Sequence, residues 1–449
     1  MAHAISAALE QISKEVATLL TPESIRETCQ AIGHHWRDRL LNPIATIHLF
    51  ILQILHCNTA CSHLPRITGR RFSVSAYCQA RARLPLVLLE KLLARIGETV
   101  RPLTETGRWR GHRTWFVDGT GVSMSDTPAL QQAFGQPTNQ APGCGFPVAR
   151  VFALFHAGTG FLIHLLVAPL RTHEAAHVAE LHPAMEPGDV LVGDRAFGTF
   201  AHLAGLLSRH LHGVFRMNQR RVVDFTPERS HPPRWNGPTA TGRPRSRWIR
   251  SLGIQDQIVE WFKGYQRPLW MSAEAFALLP LTLTVRELRY TIRRPGFRVK
   301  TVTLVTTLLD PEKYPADALA DLYRSRWQVE THLAHLKTTL GMDVLRCQTP
   351  AGVMRELMMF AIVYNLVRLV MTEAARRQNV IPDRISFVDA LRWLASSPPG
   401  TRLPIFLVNP ERPGRVEPRC LKRRAKKYPY MIRPRAILRQ ELLNKQLAD

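Results

Sequence analysis

The sequence predicts an α/β fold in which a helical segment precedes a layer of strands, and three observations support this. Residues 1–108 show apolar positions at helical spacing, as in "ATIHLFILQIL" and "LPLVLLEKLLARI". From residue 113 the period changes to that of strands. The later strand-like runs alternate with helical segments, which is typical of an α/β layer structure.

The strand-like runs can be followed in order along the chain. "RTWFVDGTGVSM" is an apolar run that ends in turn residues, and "FPVARVFALFHAGTGFLIHLLVAPL" (146–170) predicts a hairpin around "AGTG". The shorter runs "DVLVGDRAFG" (189–198) and "GVFRMN" (213–218) predict two more strands with a helix between them. "KTVTLVTTLLD" (300–310) predicts a further strand, and a helix follows it.

Residues 219–299 interrupt this rhythm, because a segment rich in Pro, Gly and Arg is followed by short β-like runs. We interpret them as a basic, β-rich insertion into the α/β layer. The prediction therefore divides the chain into a helical N-terminal DNA-binding domain (1–108), a first part of the core (109–218), the insertion (219–299), a second part of the core (300–345) and a helical, basic C-terminal region (346–449).

Composition indicates the class of partner. The 449 residues carry 60 Lys and Arg against 35 Asp and Glu, a formal charge of +25, which favours a polyanion such as nucleic acid. A membrane surface is the alternative, but we expect no spanning segment, because the apolar run at 41–57 contains proline and histidine. The seven cysteines are scattered and odd in number, which favours a reduced cytoplasm over a disulfide framework.

Two basic segments are candidates for contact with nucleic acid. "GRRFSVSAYCQARARLP" (69–85) combines a serine-rich helix start with four arginines, Arg70, Arg71, Arg81 and Arg83. It predicts the recognition helix of a small DNA-binding domain, with a basic surface helix as the alternative. The second segment, 411–435, is rich in Lys and Arg and predicts a nucleic-acid-contacting or flexible arm.

Three carboxylates lie where α/β enzymes carry catalytic groups. Asp118 and Asp194 each end an apolar strand, in "WFVDGTG" and "VLVGDRAFG", and Glu330 lies on the predicted helix. An acid flanked by Val, Leu and Phe is costly to bury unless it binds a cation. Oxygen ligands from two Asp and one Glu suit Mg²⁺ or Mn²⁺, and two such ions support phosphoryl transfer. The alternative is two turn-capping aspartates and a surface glutamate.

The helix "YRSRWQVETHLAHLK" (323–337) surrounds its carboxylate with groups that bind phosphate. On a regular helix Tyr323, Arg326, Glu330 and Lys337 fall within about 60° of one another. A second stripe of apolar residues would face the core: Leu322, Val329, Leu333, Leu336 and Leu340. The alternative is a solvated face with helical charge pairs.

The spacing Y-x2-R-x3-E-x6-K, with "FVDGT", "GDRAFG" and "QAPGCGFPVARV" (140–151), resembles the insertion-sequence DDE transposases of the YREK group. The resemblance extends over roughly residues 30–435. It implies a ribonuclease-H-like core interrupted by a β-rich insertion, in which Asp118, Asp194 and Glu330 bind two Mg²⁺ or Mn²⁺ ions. It further implies that Tyr323, Arg326 and Lys337 hold phosphates of a transposon end, and that two copies of the chain assemble around two DNA ends.

Close relatives carry a tryptophan in the insertion that stacks on a flipped base. No tryptophan of this insertion lies at the position of that base-stacking tryptophan. The sequence therefore does not show which of four tryptophans would stack on a base: Trp235, Trp248, Trp261 or Trp270.

The resemblance predicts an enzyme that cuts the ends of a mobile element in double-stranded DNA and joins the freed 3′-OH to target DNA. One alternative is a ribonuclease-H-like nuclease that cleaves without joining. The other is a DNA-binding regulator descended from a transposase, although a binder gains nothing from three acids near phosphates.

Two metal motifs compete with this interpretation. "HEAAH" (173–177) matches the zinc-protease pattern, but Glu180 stands where the longer metzincin motif needs glycine, and a peptidase does not explain the charge of +25. A second cluster, His56, Cys57, Cys61 and His63, does not have a familiar zinc spacing.

Overall fold

The computed structural model describes residues 18–105, 107–172, 174–230, 244, 246–292, 300–398, 401–409 and 431–446. Its strands are β1 (Thr114–Ser123), β2 (Val148–His156), β3 (Leu162–Pro169), β4 (Val190–Gly193), β5 (His212–Arg216), β6 (Ser246–Gly253), β7 (Asp256–Phe262), β8 (Thr282–Ile292) and β9 (Lys300–Thr306).

The helices before the sheet are α1 (Pro22–Ala31), α2 (Pro43–Leu55), α3 (Leu64–Thr68), α4 (Val74–Arg83) and α5 (Leu86–Glu105). Those between strands are α6 (Pro128–Phe134), α7 (Glu174–His177), α8 (Phe200–Leu207) and α9 (Ala273–Leu278). Those after the sheet are α10 (Ala316–Ser325), α11 (Gln328–Ala334), α12 (Pro350–Gln378), α13 (Phe387–Ser396) and α14 (Arg435–Gln446).

All these strands join in one mixed sheet with the order β3-β2-β1-β4-β5-β9-β8-β7-β6. β1 pairs antiparallel with β2 and parallel with β4, and β4 pairs parallel with β5. The β2–β3 hairpin turns at Gly160, which has φ +69° and where a Cβ would meet the guanidinium of Arg368 at 2.5 Å. Antiparallel strands followed by parallel strands with helical crossovers confirm the predicted α/β class.

The insertion continues this sheet. β9 pairs antiparallel with β5, and β8, β7 and β6 follow outward, each antiparallel to its neighbour. The pairing of β6 with β7 shifts register twice, between Trp248 and Arg250 and between Ser251 and Gly253. The sequence predicted that the insertion is β-rich. It could not show that the new strands extend the existing sheet, because strand patterns do not identify their pairing partners.

The two faces of the sheet carry separate apolar cores. One face buries Trp115, Val117 and Phe215 against α8 and the 3-10 segment Val178–Ala184. The other face buries Phe116, Val192 and Val214 against the helices that follow the sheet. Side chains alternate between faces along a strand, so Asp118, two residues after Phe116, points toward the helical side.

The helices that precede the sheet share this second core. Ile47 of α2 and Leu92 of α5 belong to the same buried cluster as Leu357 and Tyr364 of α12. Apolar periodicity predicted these helices correctly, because each has a buried face. The pattern could not identify the element that covers that face.

Helix α12 corrects the expectation about spanning segments. By length and composition it qualifies as a membrane span, whereas the prediction considered 41–57 as the best candidate. In the fold 89% of its most apolar window is buried inside the protein. Its apolar residues therefore serve as the central support of the helical layer.

Candidate active site

Strand register places the two aspartates side by side. Val117 of β1 pairs in parallel with Gly193 of β4, so the next residues, Asp118 and Asp194, are neighbours across the sheet. Each lies two residues beyond a buried residue of the helical face, Phe116 or Val192. Adjacent strands are separated by about 4.8 Å, so the two carboxylates lie beside each other on one face of the sheet.

Asp118 is held in a half-buried position. The backbone N–H of Gly119 donates to Asp118 Oδ1 at 2.8 Å, and Arg326 Nη1 lies 3.5 Å from Oδ2. Burial raises the pKa of the Asp118 carboxyl above its usual range, the Gly119 hydrogen bond and Arg326 oppose that shift, and the charges of Asp194 and Glu330 add to it. The three carboxylates are therefore close enough to influence one another electrostatically.

Glu330 reaches the site from α11, which packs on β1. The sequence predicted one regular helix over 323–337, and the structure differs. Successive i to i−3 hydrogen bonds tighten the chain between α10 and α11, and a π-helical turn, His335–Thr339, follows. The predicted angles of 100° per residue therefore hold only in part. The apolar stripe is confirmed, since its members are buried: Leu322, Val329, Leu333, Leu336 and Leu340.

Arg326 lies between two of the carboxylates. Its Nη1 is 3.5 Å from Asp118 Oδ2, and its Nη2 is 3.7 Å from Glu330 Oε1. The residue is 8% exposed, and its Nε is buried with no hydrogen-bond partner among the described residues. These separations are within the range of ion pairs and long for hydrogen bonds, so the guanidinium balances the acids without a close hydrogen bond to either.

The residues fit a divalent ion in chemistry. Within the described part of the chain, no three His, Cys, Asp or Glu side chains are grouped closely enough to hold a metal. Like charges repel, and Arg326 occupies the space between Asp118 and Glu330. The donors themselves are all carboxylate oxygens, the ligands that Mg²⁺ and Mn²⁺ prefer, and Asp118 is a half-buried acid held by one backbone N–H and a guanidinium at 3.5 Å.

Tyr323 and Arg216 line the same site. Tyr323 is 7% exposed, and its ring centre lies 5.6 Å from the guanidinium carbon of Arg326. Burial raises the pKa of the Tyr323 hydroxyl, Asp194 raises it further, and Arg326 and Arg216 lower it. The sequence prediction missed Arg216, which ends β5 in the position next to Asp194 because Gly193 pairs with Phe215. A basic residue at the end of the neighbouring strand, in "GVFRMN", was the available signal.

Lys337 and Trp327 flank Glu330 along the chain. Lys337 lies in the π-helical turn, is partly exposed, and forms no ion pair with the residues that the structure describes. Its alignment with Arg326 and Glu330 on one helical row stays a prediction, because it was drawn on a regular helix and the π turn changes the angular spacing. Trp327 is 58% exposed between Arg326 and Glu330 and was also missed.

The four predicted DNA-contacting arginines separate into two groups. Arg70, Arg71 and Arg83 are exposed, and the first two line an open depression with Pro65, Arg66, Gly69 and Phe72. Arg81 is 7% exposed, with its guanidinium carbon 3.9 Å above the ring of Phe50. A guanidinium held inside the fold cannot contact DNA, so the prediction for Arg81 is corrected. The sequence shows the charge of Arg81 and does not show its burial.

The tryptophans of the insertion also separate. Trp261 is fully buried, donates from Nε1 to Glu287, and lies beneath the guanidinium of Arg221 at 3.6 Å, so it is structural. Trp248 and Trp270 are partly exposed, and Trp235 lies outside the described residues.

The competing metal motifs receive no support from the described residues. His173 of "HEAAH" lies outside them, and His177 Nδ1 is paired with Glu180 Oε1. His56, Cys57, Cys61 and His63 do not form a metal-binding group within the described chain.

Comparison with known proteins identifies the family. The family described as "Transposase DDE domain" matches residues 109–366, which is more than half of the chain and includes Asp118, Asp194 and Glu330. The chain belongs to the DDE transposases. It is 26% identical over 376 residues to the transposase InsG for insertion sequence element IS4 of Escherichia coli (strain K12), a match that covers 79% of this chain and 78% of that relative.

Among solved structures, the chain is similar to a piggyBac transposase in a cryo-EM synaptic complex with hairpin DNA. The TM-score is 0.45 at 11% identity, over 86% of this chain and 79% of that one.

DDE transposases are metal-dependent enzymes that cleave and rejoin DNA. This transposase is therefore a DNA-cleaving and DNA-joining enzyme on a ribonuclease-H-like α/β fold, as the sequence predicted. In the large mixed sheet, Asp118 lies within β1 and Asp194 directly follows the neighbouring strand β4.

Proposed function

We propose that this transposase is of the YREK group, binds the ends of an insertion sequence, and moves it by cutting and joining. The observation that carries the proposal is the adjacency of Asp118 and Asp194 on β1 and β4, with Glu330 on the helix packed above them. The relative from insertion sequence IS4 supports the same class of element.

Asp118, Asp194 and Glu330 would hold two Mg²⁺ or Mn²⁺ ions. When bound, such ions activate water or a 3′-OH as nucleophile and stabilise charge on the leaving oxygen of the phosphodiester. Arg326, whose guanidinium lies between Asp118 and Glu330, would contact phosphate once metal ions balance those acids. Tyr323, Arg216 and Lys337 would hold the phosphates of the transposon end.

The remaining parts of the chain would bind DNA outside the site. Arg70, Arg71 and Arg83 are exposed on and before α4, so they are available to contact the element end, with the helix in a groove and its N-terminal arginines on phosphates. Trp327 presents an exposed ring beside the acids and could stack on an unpaired base. The five segments predicted from the sequence would serve as end recognition, core, insertion, core and C-terminal contact.

Double-stranded DNA at both element ends and at the target would be the partner, bound by a homodimer in the synaptic complex. The location would be the cytoplasm of a prokaryote, on the nucleoid when DNA is bound.

The test uses a labelled duplex that carries the terminal inverted repeat from the DNA beside the gene, an unlabelled target plasmid, and Mg²⁺. Cleaved ends and joined products are expected from the wild type, and neither product from Asp118→Asn. Cleavage without joined product would indicate the nuclease alternative, and binding without cleavage would indicate the regulator.

The metal requirement is tested on the same duplex. Mn²⁺ should replace Mg²⁺, whereas Ca²⁺ should support binding with little or no cleavage. Cleavage that persists after thorough EDTA treatment would exclude the proposed metal-dependent mechanism.

A further inference from the structure

The C-terminal end of helix α4 is attached to a distant part of the catalytic chain. Arg81, on the last turn of α4, donates from Nη2 to Cys347 Sγ at 3.0 Å. Leu84, which follows the last turn, accepts at its carbonyl from Arg355 Nε at 2.5 Å. Two separate hydrogen bonds therefore join the end of α4 to the segment 347–355.

These two hydrogen bonds form what we call the joint. Arg81 also contacts residues on the N-terminal side of α4. Its Nη1 donates to Gln53 Oε1 at 3.1 Å, and the hydroxyl of Tyr77 donates to the same oxygen at 3.0 Å. Its guanidinium carbon lies above the ring of Phe50 at 3.9 Å. A buried cation with this many partners allows few alternative positions for the helix that carries it.

The segment 347–355 is itself held in place by the residue that follows it, Glu356. Glu356 is fully buried and accepts hydrogen bonds from the backbone N–H groups of Arg346 and Cys347 and from the Asn58 side chain at 2.7 Å.

The chain just before this segment pairs with the end of β1. Leu345 N donates to Ser123 O at 2.8 Å, and Ser123 N donates to Asp343 O at 3.0 Å. Strand β1 carries Asp118, and the chain before Asp343 leads back through the π turn to Glu330. One hydrogen-bonded joint therefore connects α4 with both of these acids.

We infer that Arg81 and Arg355 hold α4 in one position relative to the catalytic carboxylates, so that the joint sets the distance between the DNA sequence that α4 contacts and the phosphodiester that is cut. The inference rests on the proposed function, because it takes the exposed face of α4 as a DNA contact. Arg81 and Arg355 are positioning residues that touch neither DNA nor reacting atoms. Arg83, two residues from Arg81, is exposed and is the matched control.

The first experiment needs no DNA. Hydrogen–deuterium exchange is measured on the free, full-length protein for the wild type, Arg81→Met, Arg355→Met and Arg83→Met. Amides of α4 should exchange at least roughly tenfold faster in the first two variants, because opening of α4 no longer breaks the joint. In Arg83→Met, the amides of α4 should exchange at the wild-type rate. In all variants, the amides of α2 should also exchange at the wild-type rate. Unchanged exchange in both Arg81→Met and Arg355→Met would overturn the inference.

Arg355→Met protects this design against a folding failure, because it removes one of the two contacts without altering any side chain of α4. If Arg81→Met does not fold, Arg355→Met decides the question alone. Faster exchange of its α4 amides would support the inference, and unchanged exchange of those amides would overturn it.

The second experiment maps the cut position on the labelled end duplex in Mg²⁺. The wild type should cut at a single phosphodiester, whereas Arg81→Met and Arg355→Met should spread the cuts over neighbouring positions with affinity within about threefold of wild type. Arg83→Met should bind more weakly and keep the single position. A merely structural role would lower yield without moving the cut, so a single unchanged position in both variants would overturn the inference. Failure of the wild type to cut would refute the proposed function, and the exchange experiment would still decide the joint.

Discussion

The guanidinium of Arg326 lies 3.5 Å from Asp118 Oδ2, and the two residues come from a helical connection and a strand that are 208 positions apart. Arg326 is also 3.7 Å from Glu330, so a single side chain balances two of the three acids. Burial raises the pKa of Asp118, the charges of Asp194 and Glu330 add to that rise, and the Arg326 guanidinium opposes it. Four predictions follow from this arrangement and from the proposed site.

Removal of the Asp118 charge should stabilise the metal-free protein at neutral pH. Burial raises the pKa of Asp118 above its ordinary 3.8, so the folded state binds the proton more tightly than the unfolded state. The stability gained from that proton is present below the ordinary pKa and is lost as pH rises through the raised pKa. Asp118→Asn should therefore melt roughly 1–3 °C above wild type near neutral pH.

The pH dependence gives the check on this prediction. Thermal unfolding in EDTA between about pH 8 and about pH 4 should show the difference shrinking as Asp118 becomes protonated in the wild type. An Asp118→Asn protein that melts below wild type at neutral pH would contradict the raised pKa.

Replacement of Glu330 by Gln should separate binding from chemistry. The shape is kept and the charge is lost, so the affinity for end DNA should persist or rise slightly. Cleavage should fall by at least roughly 100-fold, because a metal ligand is weakened. The measurement is single-turnover cleavage beside a binding titration, with Glu98→Gln, at an exposed position of α5, as the control. Near-normal cutting by Glu330→Gln would remove Glu330 from the site.

Lys337→Ala should weaken binding to end DNA and reduce its salt dependence. One lost phosphate contact lowers the slope of log K against log salt by about 0.9. Lys91→Ala, an exposed lysine on α5, is the control and should leave the slope unchanged. An unaltered slope in Lys337→Ala would mean that the π turn does not face the DNA.

The synaptic complex should contain two chains. Light scattering of the wild type with end duplex should give a mass equal to two proteins and two duplexes, and the free protein should be smaller. A complex of one chain on one duplex at concentrations that support joining would argue against the homodimer.

Local sequence patterns predicted the buried faces of β1 and β4 and the end of β4 at Gly193, directly before Asp194, whereas β1 continues past Asp118 to Ser123. Phe116 and Val192 are buried one alternation before Asp118 and Asp194, as the apolar runs required. Such a run states which side of a strand is buried, a short-range property that the sequence carries directly. The predicted end of the first strand at Asp118 is wrong, because residues 119–123 still pair with β2, and pairing is a long-range property that the sequence does not carry.

Features that depend on distant partners could not be predicted in this way. In the sequence, Arg81 is one of four similar arginines in the segment 69–85. Its burial depends on Gln53 and Cys347, which are far from it in sequence. The tightened connection at Arg326 contains neither Gly nor Pro, and its position against Asp118 is set by tertiary packing. Arg216 joins the site only through the pairing of β4 with β5.

Strand β6, at one end of the sheet, affects how copies of the protein contact one another at high concentration. A free strand edge exposes unpaired N–H and C=O groups that can recruit a strand from another molecule. Among the described strands, β6 lies at such an edge. It carries Arg247 and Arg250, and its pairing with β7 shifts register twice. Like charges and bulges both oppose edge-to-edge pairing. The β6 edge is therefore poorly suited to recruit a strand from another copy of the chain.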